Sequence, residues 1–358
     1  KMKMRNFSIQ FSKKKSKKRR LSIEQLEHEI DVLERELISS PDRPRVIQDI
    51  ENKKSQLKKL YNVFTDGLKV RSRADWYEEG EQNKAYFEQL LKSNKKKTII
   101  QEIYNDKGEV IKEKNVILRL IREFYKNLYS ENALTRDNSR ENMFFTDIPQ
   151  LSDESKSSCE GKITKEECLE SLKSMKLNKS PGNDGFTVEF YLTFWPQLGS
   201  LLVEVFNEAF EKGGLATSQK QGVITLIEKD GKDPLHIKNY RPITLLNTDY
   251  KILSKIMAKR IKEVLNEIVH SDQVGYLQNR YIGEALRLID DMIFHCNNYC
   301  DEEVFLIAVD FEKAFDSVSH DFLFKVLELF WFGHSFCSWV KTMYNGISSC
   351  VMNGGVST

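Results

Sequence analysis

Six consecutive apolar residues, Val304 to Val309, run directly into a carboxylate, Asp310. The run lacks the alternation of a half-solvated strand. It predicts a strand buried on both faces, which requires a layered fold with helices packed on a sheet. At six residues it is far too short to span a bilayer, and the sequence holds no longer apolar run. Burying an unpaired carboxylate is costly, so Asp310 must be exposed, hydrogen-bonded or metal-bound. A turn-forming or capping Asp meets the same demand, and so does Asp316; the local sequence leaves these alternatives open.

Elsewhere the pattern is mostly helical. Leu26, Ile30, Leu33 and Leu37 recur at alternating spacings of four and three, a heptad seam broken at Ser39-Ser40-Pro41-Asp42-Arg43-Pro44. Ile50, Leu57, Leu60 and Phe64 form a second stripe, so an antiparallel helical hairpin is expected. A helix over 74–93, a β-hairpin over 99–111 turning at Asn105-Asp106-Lys107-Gly108, and an amphipathic helix to about Tyr129 follow. From 163 the pattern becomes denser. Helices are expected over 164–176, 187–211, 248–267, 281–298 and 320–331, the last with Ser319 as N-cap, and strands over 222–228 and 304–309. These expectations divide the chain into a basic disordered tail (1–20), a helical arm (21–130), a polar connector (131–162) and a mixed α/β (α+β) unit in two parts, 163–303 and 304–358. The chain opens on Lys rather than Met, and its last eight residues, VMNGGVST, read as a strand cut in mid-pattern; a fragment is expected.

The net charge of +2 hides an uneven distribution. The first 20 residues carry ten Lys or Arg and no acid, which leaves the other 338 at −8. Lys13 to Arg20 (KKKSKKRR) suits phosphate contact, a nuclear import signal or a solvated tail. Six Cys without a C-x-x-C pair read as reduced thiols, so a nuclear or cytoplasmic location is expected. His295, Cys296 and Cys300 share a predicted helix face and read as packed residues rather than metal ligands. No apolar segment follows the basic start, so neither a secretory signal nor a membrane partner is expected.

Two further places offer groups that hold phosphate. Glu228-Lys229 and Asn239-Tyr240-Arg241-Pro242 set cations at the ends of a hairpin: Lys gives a point charge and Arg a bidentate fork. Asn178 to Gly185 is a donor-rich loop suited to a phosphate backbone. In order, LNKSPGNDGFTVEFY (177–191), ITLIEKDGKDPLHIKNYRPITLLNTDYKILSKIMAKRI (224–261), HSDQVGYLQNR (270–280) and FLIAVDFEKAFDSVSHDFL (305–323) resemble successive motifs of the reverse transcriptases of non-LTR retrotransposons, the long-interspersed-element type. ADWYEEGEQNKAYF (74–87) resembles the segment between endonuclease and polymerase in these elements, so the resemblance covers nearly everything after residue 20.

The resemblance implies a right-hand polymerase: fingers over 163–303 and a partial palm from 304, incomplete at the C-terminus and preceded by the helical hairpin arm. It implies an RNA-directed DNA polymerase working on an RNA template, a DNA primer and deoxynucleoside triphosphates with two magnesium ions. Asp310 resembles the first catalytic carboxylate and metal ligand, with the Phe311 carbonyl in one ion's shell, and Phe315 the ring that excludes a ribonucleotide hydroxyl. Lys229 and Arg241 resemble the residues that hold the triphosphate; Lys179, Pro181, Gly182, Gln273 and Arg280 resemble template or primer contacts. Three departures stand out. Glu228 replaces the family's Pro, Leu277-Gln278-Asn279 replaces the commoner Gly before Arg280, and no Asp-Asp pair follows Asp310. These 358 residues are therefore expected to be inactive alone, with a sheet edge that promotes poor solubility; the alternative is a non-enzymatic RNA-binding remnant.

Overall fold

The structure, a computed structural model, describes residues 1–39, 43–72, 99–130, 148–299, 304–311 and 313–358. The helix expected over 74–93, most of the connector, Cys300 and Glu312 lie outside these residues.

Residues 1–39 contain neither Gly nor Pro, and α1 (Met2–Ser39) runs through them unbroken. The expected disordered tail over 1–20 is therefore helical. Its Lys, Arg and Met residues favour helix, and extending the Leu26–Leu37 helix backward avoids a second nucleation. Lys1 is also held, by Asp184 at 2.9 Å and by Asp249. α2 (Pro44–Ser72) opens on Pro, whose missing N–H costs nothing there, and folds back on α1. Ile30 and Ile50 are buried, and Lys53–Glu29 and Lys54–Glu34 pair at 2.7 Å each, fixing the antiparallel register of the hairpin.

β1 (Ile103–Tyr104) and β2 (Val110–Ile111) form the expected small hairpin, turning at Gly108 (φ +79°). α3 (Lys114–Tyr129) places Ile117, Ile121 and Tyr125 on one buried face. The helical layer follows: α4 (Asp153–Cys159), α5 (Lys165–Lys173), α6 (Val188–Thr193), α7 (Trp195–Glu211) and the short α8 (Thr217–Lys220). β3 (Gln221–Glu228) and β4 (Tyr240–Leu245) lead into α9 (Thr248–Ile268) and α10 (Ile282–Tyr299). α11 (His320–Leu329), α12 (His334–Tyr344), β5 (Ser348–Asn353) and β6 (Val356–Ser357) complete the described elements. Ser319 caps α11 through its hydroxyl, which accepts from the Phe322 N–H at 3.1 Å.

The sheet order is β4-β3-β5-β6, with β3 antiparallel to β4 and parallel to β5. α3 covers one face, packing Ile117, Ile121 and Tyr125 on Ile224, Leu226 and Val351. The last residues pair into a hairpin. Gly354 and Gly355 (φ +61° and +87°) turn β5 back into β6, because a two-residue turn with positive φ matches the twist of a hairpin.

The helical core gathers α4, α5, α7, α9, α11 and α12 around Trp339, Phe206 and Phe336. Leu151 and Cys159 lie in it, so residues 148–162 belong to this core rather than to a connector. Arg260 ties the layer together. Its guanidinium donates to both Glu167 oxygens (2.8 and 3.0 Å) and to the carbonyls of Cys159, Gly161 and Lys162, each at 3.1 Å. Glu160 caps α12, accepting from the Ser335 and Phe336 N–H groups at 2.9 and 2.8 Å.

Residues 304–309 overturn the opening expectation: they form no strand, and Phe305 and Ile307 are both 80% exposed. Both edges of β3 are already taken by β4 and β5, and no ladder among the described residues includes this run. α10, just before it, buries none of its residues. No helix among the described residues is long and apolar enough to cross a membrane.

Candidate functional site

The β3–β4 pairing sorts the cations of the hairpin. Arg241 stands opposite Ile227, and Glu228 opposite Tyr240. Side chains alternate along a strand and opposed residues share a face, so Ile227 and Arg241 share one, and Lys229 follows the last residue of β3. That face also exposes Ile227 and Ile243, whereas Ile224 and Leu226 point to α3 on the other. Glu228 shares the α3 face with Tyr240, whose hydroxyl is pushed up by burial and by the Glu228 and Asp233 carboxylates. The acid next to Lys229 in sequence is thus turned away from the cationic face. Lys229 is steadied by donating to the Lys238 carbonyl at 3.0 Å, and its N–H pairs with the Asn239 carbonyl at 2.9 Å.

The loop 178–185 is built on backbone geometry that tolerates positive φ at Asn178 (+58°) and Gly185 (+78°). Lys179 is exposed, while Pro181 and Gly182 are half-buried, Gly182 against Leu246 and Asn247 just before α9. The Asp184 carboxylate accepts from its own loop, from the Phe186 N–H at 3.0 Å. Nearby, burial together with Asp249 and Asp184 pushes the Tyr191 hydroxyl far above its ordinary range, keeping it neutral.

Gln273 and Arg280 come together, but in a way the sequence did not suggest. Arg280 donates to the carbonyls of Val269 (2.9 Å), His270 and Gln273 (2.7 Å). A cation is favourable at a helix C-terminus, and here it closes the loop that follows α9. Most of its fork is committed to backbone; the Gln273 side chain stays exposed.

Asp310, Phe311 and Phe315 lie on a separate exposed segment, with Phe315 at 82% exposure. Its turn is closed by the Asp316 and Ser317 N–H groups donating to the Lys313 carbonyl at 2.9 and 3.0 Å. The Lys313 ammonium lies over the Phe124 ring of α3 at 5.4 Å, and Tyr276 meets Phe315 edge-on at 6.1 Å. Burial and the Asp316 carboxylate raise the Tyr129 hydroxyl, so Asp316 also sits beside α3. Among the described residues no hydrogen bond, ion pair or ring contact joins this segment to Lys229 or Arg241. No group of three metal-ligating side chains occurs among them either.

Sequence reasoning missed the α3 aromatics and Asn247, each buried or packed between distant segments. Asn247 carried one signal: it holds the N-cap position of α9, where Asn is common, yet its side chain makes no cap.

Residues 227–357 match the reverse transcriptase (RNA-dependent DNA polymerase) family. The chain is 34% identical over 335 residues to the uncharacterized 149 kDa protein of transposon TX1 from Xenopus laevis, covering 94% of this chain and 25% of that protein. It is 26% identical over 188 residues to the RNA-directed DNA polymerase from mobile element jockey of Drosophila funebris, covering 49% of this chain and 20% of the relative. It is also 29% identical over 167 residues to the retrovirus-related Pol polyprotein from type-1 retrotransposable element R2 of Popillia japonica, covering 46% and 22%. The chain thus spans a quarter or less of the length of these relatives.

Proposed function

We propose, from the premise that residues 227–357 belong to the reverse transcriptase family, that this chain is the fingers and early palm of an RNA-directed DNA polymerase of a non-LTR retrotransposon, preceded by a helical hairpin arm. The observation that supports the reading is the β3–β4 register, which puts Arg241 opposite Ile227 on an exposed face, with Lys229 one residue past the end of β3. A point charge beside a bidentate fork suits the oxygens of a deoxynucleoside triphosphate. Lys179, Pro181 and Gly182 are the loop offered to the backbone of an RNA template or DNA primer, and Gln273, whose side chain is exposed, is a further contact of this kind. Arg280 acts one step back, holding the 269–280 loop by its carbonyls. Phe315, ring exposed, discriminates at the sugar.

Polymerases of this class use two magnesium ions, and the hard oxygens of the Asp310 carboxylate and Phe311 carbonyl suit magnesium. One carboxylate does not hold two such ions, and the sequence has no adjacent Asp pair after Asp310. The 358 residues by themselves therefore do not fit the two-ion group, and no nucleotide addition is expected from them alone.

The test is titration of the chain with a fluorescent deoxynucleoside triphosphate and, separately, with labelled single-stranded RNA across a salt series. Triphosphate binding lost in the Lys229→Ala, Arg241→Ala double variant supports the reading; unchanged binding overturns it. RNA affinity falling steeply with salt is expected, since phosphate contacts release counterions. Labelled deoxynucleotide incorporated on a primed RNA template, and abolished by Asp310→Ala, would overturn the expected inactivity. RNA binding without any triphosphate binding would favour a non-enzymatic remnant instead.

A further inference from the structure

Asn247 is 1% exposed and stands where three separate segments converge. An Asn at this N-cap position ordinarily turns its side-chain oxygen on the first turn of its own helix. Here that oxygen accepts from the Asp184 N–H at 3.1 Å, while its Nδ2 donates to the Ser218 carbonyl. Ser218 lies in α8, which leads directly into β3, and Asn247 itself joins β4 to α9. One side chain thus connects the 178–186 loop with the segments that lead into β3 and out of β4. The neighbouring Thr248 hydroxyl adds a second tie, donating to the Phe186 carbonyl at 2.7 Å.

The loop answers with a glycine. A Cβ at Gly182 would stand 2.6 Å from the Leu246 carbonyl carbon and closer still to Asn247. Gly182 is therefore required by close approach to the Leu246–Asn247 backbone, a demand set inside the protein and independent of any ligand. The chemistry at 247 is equally narrow. An amide supplies both an acceptor and a donor; Asp keeps the acceptor and loses the donor, and an aliphatic side chain loses both.

We propose that Asn247 is a positioning residue that locks the 178–186 loop to the base of the β3–β4 hairpin, so that Lys179 meets nucleic acid in fixed register with Lys229 and Arg241. The role in nucleic-acid binding rests on the polymerase reading above; the lock itself does not. Buried to this degree, Asn247 touches neither RNA nor nucleotide and acts only through the loop.

The experiment uses the 358-residue chain with two readouts: amide hydrogen exchange across 178–186, and anisotropy of a fluorescein-labelled single-stranded RNA. Asn247→Ala is expected to speed exchange of the Asp184 amide about tenfold and to weaken RNA binding by a similar factor. Asn247→Asp, which keeps the acceptor, is expected to retain most of the Asp184 protection. Gly182→Ala should match Asn247→Ala in both readouts, and the double variant should be no worse than either single one, since both break one contact. Glu167→Gln, remote from the loop, reports what loss of stability alone does and should leave RNA affinity unchanged. Unaltered Asp184 exchange in Asn247→Ala overturns the lock. A loosened loop with unchanged RNA affinity overturns its role in binding, as do additive effects in the double variant. Absence of RNA binding by the unsubstituted chain would instead refute the nucleic-acid reading itself.

Discussion

β3 and the run Val304–Val309 are the two most apolar strand-like segments of the second half of the chain, and they meet opposite fates. β3 lies inside the sheet with β4 on one edge, β5 on the other and α3 across one face; its Ile224 is 2% exposed. The run 304–309 has the more continuous apolar sequence and no ladder partner among the described residues, and Ile307 is 80% exposed. Apolar content predicts a wish to be buried. A strand is granted it only where a neighbour satisfies its N–H and C=O groups along an edge.

Substitutions can break or sharpen this contrast. The largest effect is expected from Ile224→Asp, which buries an unpaired carboxylate between β3 and α3. A loss of about 4 kcal/mol or more, seen as a missing cooperative transition in urea, follows from the cost of such burial. Next, Arg260→Ala leaves Glu167 and three core carbonyls without their donor, and about 3 kcal/mol should be lost in the same measurement. A cost below about 1 kcal/mol would show that the helical layer does not depend on this pair.

Acid titration gives a smaller, graded effect. Burial pushes the Glu167 carboxyl up, but the Arg260 fork and the Thr164 backbone N–H outweigh it, leaving the group below its ordinary range. A carboxyl lowered on folding stabilises above its unfolded value. That contribution disappears as pH falls through the lower folded value. Stability should therefore decline below about pH 4.5, and Glu167→Gln should be less stable at neutral pH with a shallower acid limb. Equal acid limbs in the two proteins would remove Glu167 from the account. The smallest effect is reserved for Leu306→Asp, expected within about 0.5 kcal/mol of the unsubstituted chain. Its soluble yield should rise, because the substitution interrupts an exposed apolar patch. A cost near that of Ile224→Asp would show the run to be buried and would erase the contrast.

Much of the fold was legible because its signals are local. The Leu26–Leu37 seam, the Ser39–Pro44 break, the amphipathic 114–129 segment and the Ser319 cap each depend on residues within a few positions, and each is found in the structure, the seam helix extended back to Met2. The tail over 1–20 was misread because charge suggests solvation, whereas helix propagation asks only for the absence of a breaker. Within the final residues the Gly354-Gly355 turn was not singled out, although two glycines between strand residues are a hairpin signal. In the candidate site, the residue types that hold phosphate were visible, but their grouping was not. Neither the carbonyl partners of Arg280 nor the pairing of Glu228 opposite Tyr240 has a signature in the sequence.

The sequence by itself determined the ordered motifs and the helical periodicities, both properties of residue identity and spacing along one dimension. Only the tertiary structure decided which apolar segment gained the edges of β3. It also set Arg241 opposite Ile227 and drew the Asn247 side chain away from its own helix to Asp184 and Ser218. Each of these joins residues far apart in sequence, through contacts whose energy exists only once the intervening chain has folded and its entropy cost has been met.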